Sequence, residues 1–221
     1  MVDFSDVKIS RSRRRSLALH LLPDGTIEVK APTLMPTFLI KDFVRKNSDW
    51  IEKRIGVVKK NITKPKEFKD GELFDFLGAK YPLKIGNYTK IHLADGNLNF
   101  PKALMFRAKI EIDNWYIRQA KVLIKTQVEY YAKEMGTSYV SITFSDTKSK
   151  WGSCTHDNRL QFNWRLILAP LLVVRYVVIH ELAHTLEKNH SHKFWRRVAV
   201  FNPSYKQQIK WLKTHGNGLV I

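Results

Sequence analysis

The sequence predicts an α+β fold whose N-terminal part is rich in β-strand. Three observations predict it. Apolar and polar residues alternate between Pro/Asp/Gly turns as far as Pro101. From Ile110 to Met135 apolar residues recur at helical steps instead. After Pro170 another helical pattern runs to about Lys188, with helix starts behind it at Ser191 and Ser204. The coarse order is β, α, β, α, β, α, α, α. A composition shift near residue 105 divides a β-rich region, 1–105, from a core region, 106–221.

Each element has its own signal. "SLALHLL" and "TIEVKAP" flank Pro23-Asp24-Gly25, which reads as a hairpin. Pro36 opens a helix-like segment in which Phe38, Val44, Trp50, Ile51 and Ile55 form an approximate apolar stripe. "NITKPKEFKDG" (61–71) is a polar connector. Short strands follow, with turns at Gly71, Gly78, Gly86 and Asp95-Gly96. Ile112, Tyr116, Ala120, Leu123, Val128 and Tyr131 give the next helix its apolar face, and Gly136 stops it. "YVSITFSD" (139–146) alternates like a strand. "KSKWGSCTHDNRLQFNW" reads as strand, turn at Asp157-Asn158, strand. Pro170 begins a helix, Ser191 caps the next, Asn202-Pro203 ends that one, and Ser204 caps the last. There is no internal repeat and no low-complexity tract.

Composition bounds the function. The chain has 221 residues, 44% of them hydrophobic, which supports a sizeable core and excludes a disordered chain. The formal net charge is +18, and residues 136–221 are the most cationic segment. This excess speaks to partners: nucleic acid, an anionic membrane surface or acidic substrates. The densest run, "RSRRRS" at 11–16, is either a phosphate-binding patch or the polar face of a hairpin. A single cysteine, Cys154, excludes an intramolecular disulfide framework. "MVDFSDVK" lacks the pattern of a secretory signal. The longest apolar run, "LILAPLLVVRYVVI" (166–179), is broken by Pro170 and Arg175 and is too short to span a bilayer. A cytoplasmic protein is expected.

The chemistry sits in "VVIHELAHTLEKNHSHKF" (177–194). On a helix, His180 and His184 lie one turn apart on one face and aim two imidazoles at one point. That spacing chelates zinc, and Glu181 beside the first histidine is placed to take a proton from a water the metal activates. The alternative is a helix whose histidines merely fill space. The flanking Val177, Val178, Ile179, Leu182, Ala183 and Leu186 argue against it. They bury the helix, and a carboxylate with two imidazoles in apolar surroundings is costly unless paired or bound to metal. Three protein ligands leave a fourth position for water. No Asp or Glu follows Glu187, and Glu187 itself would have to reach back along the helix. His190 has the best spacing for the third ligand, because Lys188-Asn189 lets the chain turn back. His192 comes second and His215 third, while His156 and Cys154 have no spacing argument.

"KSKWGSC", "RLQFNWRLILAP", "VVRYVVIHELAHTLEKNHSHKFWRRV" and "NPSYKQQIKWLK" together resemble the YgjP-like zinc metallopeptidases, a family related in its metal core to the SprT/Spartan proteases. The resemblance is strong over about 145–213. It implies a zincin-like core, a mixed sheet packed on the metal-bearing helix. It also implies metal ligands at His180, His184 and His190, with Glu181 as the catalytic carboxylate. Spartan-type proteins have an aromatic residue four positions after the third histidine, matched here by Phe194. The metzincin pattern fails, because Glu187 stands in place of its glycine and no methionine follows the motif. The family pattern marks Trp151 and Asn163 as candidate groove-lining residues, against core packing as the alternative. The strand at 159–165 is the candidate edge for an extended peptide substrate. Tyr205 is expected to pack between the last helices rather than to bind an oxyanion. Two functions follow as expectations. One is zinc-dependent hydrolysis of peptide or protein substrates. The other is a basic nucleic-acid-associated protein with a structural zinc site, a protease acting on DNA-bound proteins included.

Overall fold

Residues 4, 7–22, 26–52, 56, 66–147 and 150–219 are described by a computed structural model. Its contacts divide the chain into two units, Met1–Lys64 and Pro65–Ile221.

The first unit holds β1 (Val7–Ser12), β2 (Ala18–Leu21), β3 (Ile27–Pro32) and α1 (Thr37–Lys46). β2 and β3 form the expected antiparallel hairpin, with Ala18 opposite Lys30 and Leu21 opposite Ile27. Its turn, residues 23–25, lies outside the described residues. β1 adds in parallel on the other side of β3, a strand the alternation did not reveal. Ile27, Val29 and Ala31 alternate onto one buried face and meet Ile40, Val44 and Ile51. The helical stripe is therefore set by Ile40 and Val44, one turn apart, and not by Phe38 or Trp50, which are 68% and 45% exposed. Ile55 lies outside the described residues. In the arginine run, Arg11 Nη1 donates to the carbonyls of Thr33 (3.1 Å) and Met35 (2.6 Å), so its charge is used to hold the loop after β3.

In the second unit, β4 (Leu73–Phe76), β5 (Ala79–Gly86), β6 (His92–Ala94) and β7 (Asn97–Pro101) form a sheet in the order β4-β5-β7-β6. Leu77-Gly78 and Asp95-Gly96 turn the chain with φ of 49°, 80°, 50° and 73°, the consecutive positive values of tight hairpin turns. Gly78 also has no room for a side chain: a Cβ would lie 2.8 Å from Pro170 Cγ. Leu77 N–H donates to Ile167 O (2.8 Å) beside it. Phe74, Leu83, Leu98 and Phe100 share one apolar core with the helices that follow. Strands grouped by composition with the N-terminal region thus pack with residues far along the chain, which is why the contact boundary falls at Lys64–Pro65.

α2 (Ala108–Glu134) buries Ile112, Tyr116, Ala120, Ile124, Val128 and Ala132, a face repeating every fourth residue. Gly136, at φ +61°, ends it: Gly136 N–H bonds Lys133 O and Thr137 N–H bonds Ala132 O, satisfying the last carbonyls. β8 (Ser141–Ser145), β9 (Gly152–Cys154) and β10 (Arg159–Asn163) form a second sheet, ordered β8-β10-β9. β10 runs parallel to β8 and antiparallel to β9, so the sheet is mixed. Asn158 makes the expected turn at φ 61°.

α3 (Leu171–Leu186) starts after Pro170, packs on α2, and lies against β9. α4 (His192–Phe201) is capped as expected by Ser191, whose Oγ accepts from Phe194 N (3.3 Å). α5 (Tyr205–His215) has no side-chain cap, because Ser204 Oγ donates to Asn202 Oδ1 (3.2 Å) instead. A mixed sheet against the helix that bears HELAH is the arrangement expected of a zincin-like core. Among the described residues, no helix is long and apolar enough to cross a membrane.

Candidate metal centre

α3 is apolar on nearly every side, with Val173, Val174, Tyr176 to Ile179, Leu182 and Ala183 all buried. His180 and His184 share one face of it, with ring centroids 5.0 Å apart. The helix stops at Leu186 because Glu187 is extended, at φ −131° and ψ 104°. The chain then turns back and delivers His190 before Ser191 caps α4. His190 lies 4.7 Å from the His184 ring and 5.0 Å from the His180 ring, centroid to centroid. Each of the three histidines offers a ligand nitrogen, and these atoms lie within 4.8 Å of one another. His180 Nε2 and His190 Nε2 are 3.1 Å apart. Ligands about 2.0–2.1 Å from a tetrahedral zinc stand about 3.3 Å from each other, so this spacing needs little adjustment to hold an ion.

In His180 and His184 the other ring nitrogen is occupied. His184 Nδ1 lies 3.1 Å from Glu187 O. A carbonyl only accepts, so Nδ1 carries the proton and Nε2 keeps its lone pair. His180 Nδ1 lies 3.3 Å from the hydroxyl of Tyr176, one turn earlier on the helix. Phe194, fully buried, packs against all three rings at 4.4–4.9 Å. Trp195 stacks on His190 (5.6 Å, 23°), and Tyr205 stacks on Trp195 (5.1 Å, 18°), which fixes the third histidine from its outer side. Tyr205 therefore packs as expected.

Electrostatics favour neutral imidazoles at His180 and His184. Burial, reinforced by His184 and His190, lowers His180 to about 3. Burial lowers His184 as well, and the Glu187 carbonyl opposes that shift. Glu181 is 5% exposed and makes no hydrogen bond or ion pair among the described residues. Burial pushes its carboxyl up to about 8, against the pull of the Lys150 charge. An unpartnered buried carboxylate on the residue that follows His180 suits a site that holds a cation and its water.

The sheet reaches the site through Gly152. A Cβ there would stand 2.6 Å from both Cγ and Oε1 of Glu181. Only glycine lets the backbone of β9 pass so close to the carboxylate. The glycine of "WGSC" was not singled out from sequence, although a glycine inside a strand is the signal for such an approach. Tyr176 and Trp195 went unmarked too, because aromatic residues in apolar helices look like core.

Trp151, half-buried, packs over Gly216, where a Cβ would lie 3.0 Å from its Cζ2. Asn163 is 3% exposed. Its Oδ1 accepts from Arg165 N (2.9 Å) and its Nδ2 donates to Thr147 O (2.8 Å). Among the other histidines, His192 is exposed in the first turn of α4, and His215 stacks on Trp211 (4.9 Å). Glu187 pairs with Arg197 at 3.7 Å. The expectation for the substrate edge is corrected. β10 is the central strand, paired on both sides, so 159–163 offers no free edge. Among the described residues, the strand that lies against α3 and has one side unpaired is β9. Trp151 O accepts from Asn163 N and Thr155 N donates to Arg159 O, so alternate residues bond toward β10. The polar backbone groups of Gly152 and Cys154 face the other way.

The YgjP-like metallopeptidase domain matches residues 15–215 of this sequence. The chain belongs to that family. As a YgjP-like metallopeptidase it is a peptidase, a hydrolase that uses a metal ion, and the three-histidine group suits that ion. No curated protein matches the sequence. Two crystal structures of metallopeptidase zymogens are similar over part of the chain. Jannalysin of Methanocaldococcus jannaschii is 20% identical, with a TM-score of 0.37, over 41% of this chain and 94% of that one. Abylysin of Pyrococcus abyssi is 18% identical, with a TM-score of 0.39, over 44% of this chain and 99% of that one.

Proposed function

We propose that this protein is a zinc-dependent peptidase in which His180, His184 and His190 hold the metal and Glu181 is the general base. The observation that carries the reading is the convergence of three imidazole nitrogens, with the buried, unpartnered Glu181 next to His180 in the chain. Three neutral imidazoles suit zinc better than a hard, oxygen-seeking cation. When bound, zinc supplies Lewis-acid chemistry, polarising a carbonyl and making a water acidic near neutral pH.

The chain does the rest. Tyr176 and the Glu187 carbonyl engage Nδ1 of His180 and His184, which would leave Nε2 of each to hold the ion. Glu181 takes the proton of the attacking water at its carboxylate and returns it to the leaving nitrogen as the C–N bond breaks. Burial raises the Glu181 carboxyl in the metal-free chain, and a bound cation would lower it again, favouring the carboxylate that accepts the proton. The substrate lies extended along β9, where Gly152 and Cys154 offer their free backbone groups by strand addition. Trp151 lines that groove, and Asn163 supports it from beneath. One free cysteine fits the reducing cytoplasm.

A second reading, nucleic-acid association, is favoured by one observation. Lys193, Arg196, Lys206, Lys210 and Lys213 are all exposed on α4 and α5, and no acidic residue follows Glu187. Steep loss of DNA binding with salt supports it. The peptidase reading is tested by Glu181→Gln. Zinc content should stay at wild type while hydrolysis of a fluorogenic peptide falls roughly a hundred- to ten-thousandfold. Unchanged hydrolysis overturns the mechanism.

A further inference from the structure

We propose that the free edge of β9 selects acidic peptides, with Lys150 and Lys188 receiving carboxylates on either side of the bond that is cut. The proposal rests on the peptidase reading above and names its substrate class. Both lysines are exposed, and both are tied to the edge strand rather than to an acid. At the start of β9, Lys150 Nζ donates to Ser153 Oγ (3.0 Å). Past its other end, Lys188, arriving from the end of α3, donates to Thr155 O (3.1 Å) and Asn158 Oδ1 (2.5 Å). Among the described residues neither ammonium has a carboxylate within ion-pair distance. The acids nearby are engaged: Asp157 pairs with Arg159 at 2.7 Å and Glu187 with Arg197 at 3.7 Å. Glu181 is the base itself.

The two cations bracket the chemistry. Lys150 is close enough to act on the Glu181 carboxylate, and Lys188 acts on His184 and Cys154. Their anchor points on the edge, Ser153 and Thr155, are two residues apart, about 7 Å at roughly 3.3 Å per residue. A peptide extended on that edge presents side chains to both when they are about two residues apart. Lysine suits this task, because its flexible point charge reaches either Asp or Glu. A neutral or basic peptide would leave one or both charges opposed by nothing or by a like charge.

The test uses the full zinc-loaded chain and quenched fluorogenic peptides of equal length. They carry paired Glu, Gln or Lys on either side of a common central segment. The Glu peptide should show kcat/KM about tenfold above the Gln peptide, with the Lys peptide lowest, and the gap should close at about 0.5 M salt. In Lys150→Glu/Lys188→Glu the order of Glu and Lys peptides should reverse, with zinc content measured alongside. Fluorescence anisotropy with the Glu181→Gln protein reads binding separately from cleavage. Equal kcat/KM for all three peptides overturns this proposal and leaves the peptidase reading standing. Charge-ordered binding without any cleavage overturns the peptidase reading and supports acidic recognition. Binding of a single-stranded oligonucleotide that the double substitution abolishes, without charge-ordered peptide binding, overturns the proposal in favour of nucleic acid. Neither cleavage nor charge-ordered binding overturns it outright.

Discussion

Gly152→Ala asks how closely the sheet edge governs the catalytic carboxylate. The new Cβ would stand 2.6 Å from Glu181 Cγ and Oε1 and 2.9 Å from Cδ, where ordinary contact begins at 3.4 Å. Because Cγ is struck as well as the carboxylate, the buried Glu181 side chain must shift by about 0.8 Å from Cγ outward. Stability should therefore fall by about 1–3 kcal/mol. The three histidines are untouched, so zinc affinity should stay within about threefold of wild type. Catalysis should suffer far more, because a displacement near 1 Å at the reacting group costs on the order of a hundredfold in rate. The assay pairs kcat for a fluorogenic peptide with a zinc titration and a urea denaturation curve on the same preparations. If Gly152→Ala kept its zinc and hydrolysed peptide within threefold of wild type, the Glu181 position described here would not be the one that acts.

Tyr176→Phe removes the hydroxyl at His180 Nδ1 and keeps the ring, so zinc affinity should fall roughly tenfold with apo stability nearly unchanged, read by competition with a chromogenic chelator. Asn163→Ala deletes both the cap on Arg165 N and the donor to Thr147 O and should cost about 2 kcal/mol in urea unfolding. A large rise in KM without loss of stability would instead make Asn163 a substrate contact. In the metal-free protein Glu181 is raised from 4.5 to about 8, so its stabilising contribution is full below pH 4.5 and is lost as pH rises through about 8. Apo wild type should therefore lose on the order of a few kcal/mol more than apo Glu181→Gln between about pH 5 and pH 9. Equal slopes would show that the carboxyl is not buried. His180, lowered from 6.5 to about 3, acts at the other end: its contribution is full above pH 6.5 and is lost as pH falls through about 3.

Much of the metal-bearing part was legible because its signals are local. HELAH sets two imidazoles by helical periodicity, and Lys188-Asn189 gives the chain a place to turn, so spacing ranks His190 ahead of His192 and His215 without excluding them. The i+4 face of α2 and its glycine stop were legible for the same reason. What escaped depends on partners distant in sequence. β1 pairs in parallel with β3, and nothing in "VKIS" announces that neighbour. β10 read as an edge because the strand order, with β8 joining in parallel from its far side, is a tertiary property. Gly78 and Gly152 looked like turn and strand glycines, but each is required by one contact, with Pro170 and with Glu181. Phe38 and Trp50 illustrate the reverse error, since large apolar residues in an amphipathic segment do not always face the core.

The central claim is three imidazole ligands with an open position over Glu181. X-ray absorption at the zinc edge, on the zinc-loaded wild type, tests it most directly. Four light-atom neighbours at about 2.0 Å with the outer-shell scattering of three imidazoles are expected. A sulfur neighbour at about 2.3 Å, which would implicate Cys154, or imidazole scattering unchanged in His190→Ala, would contradict it.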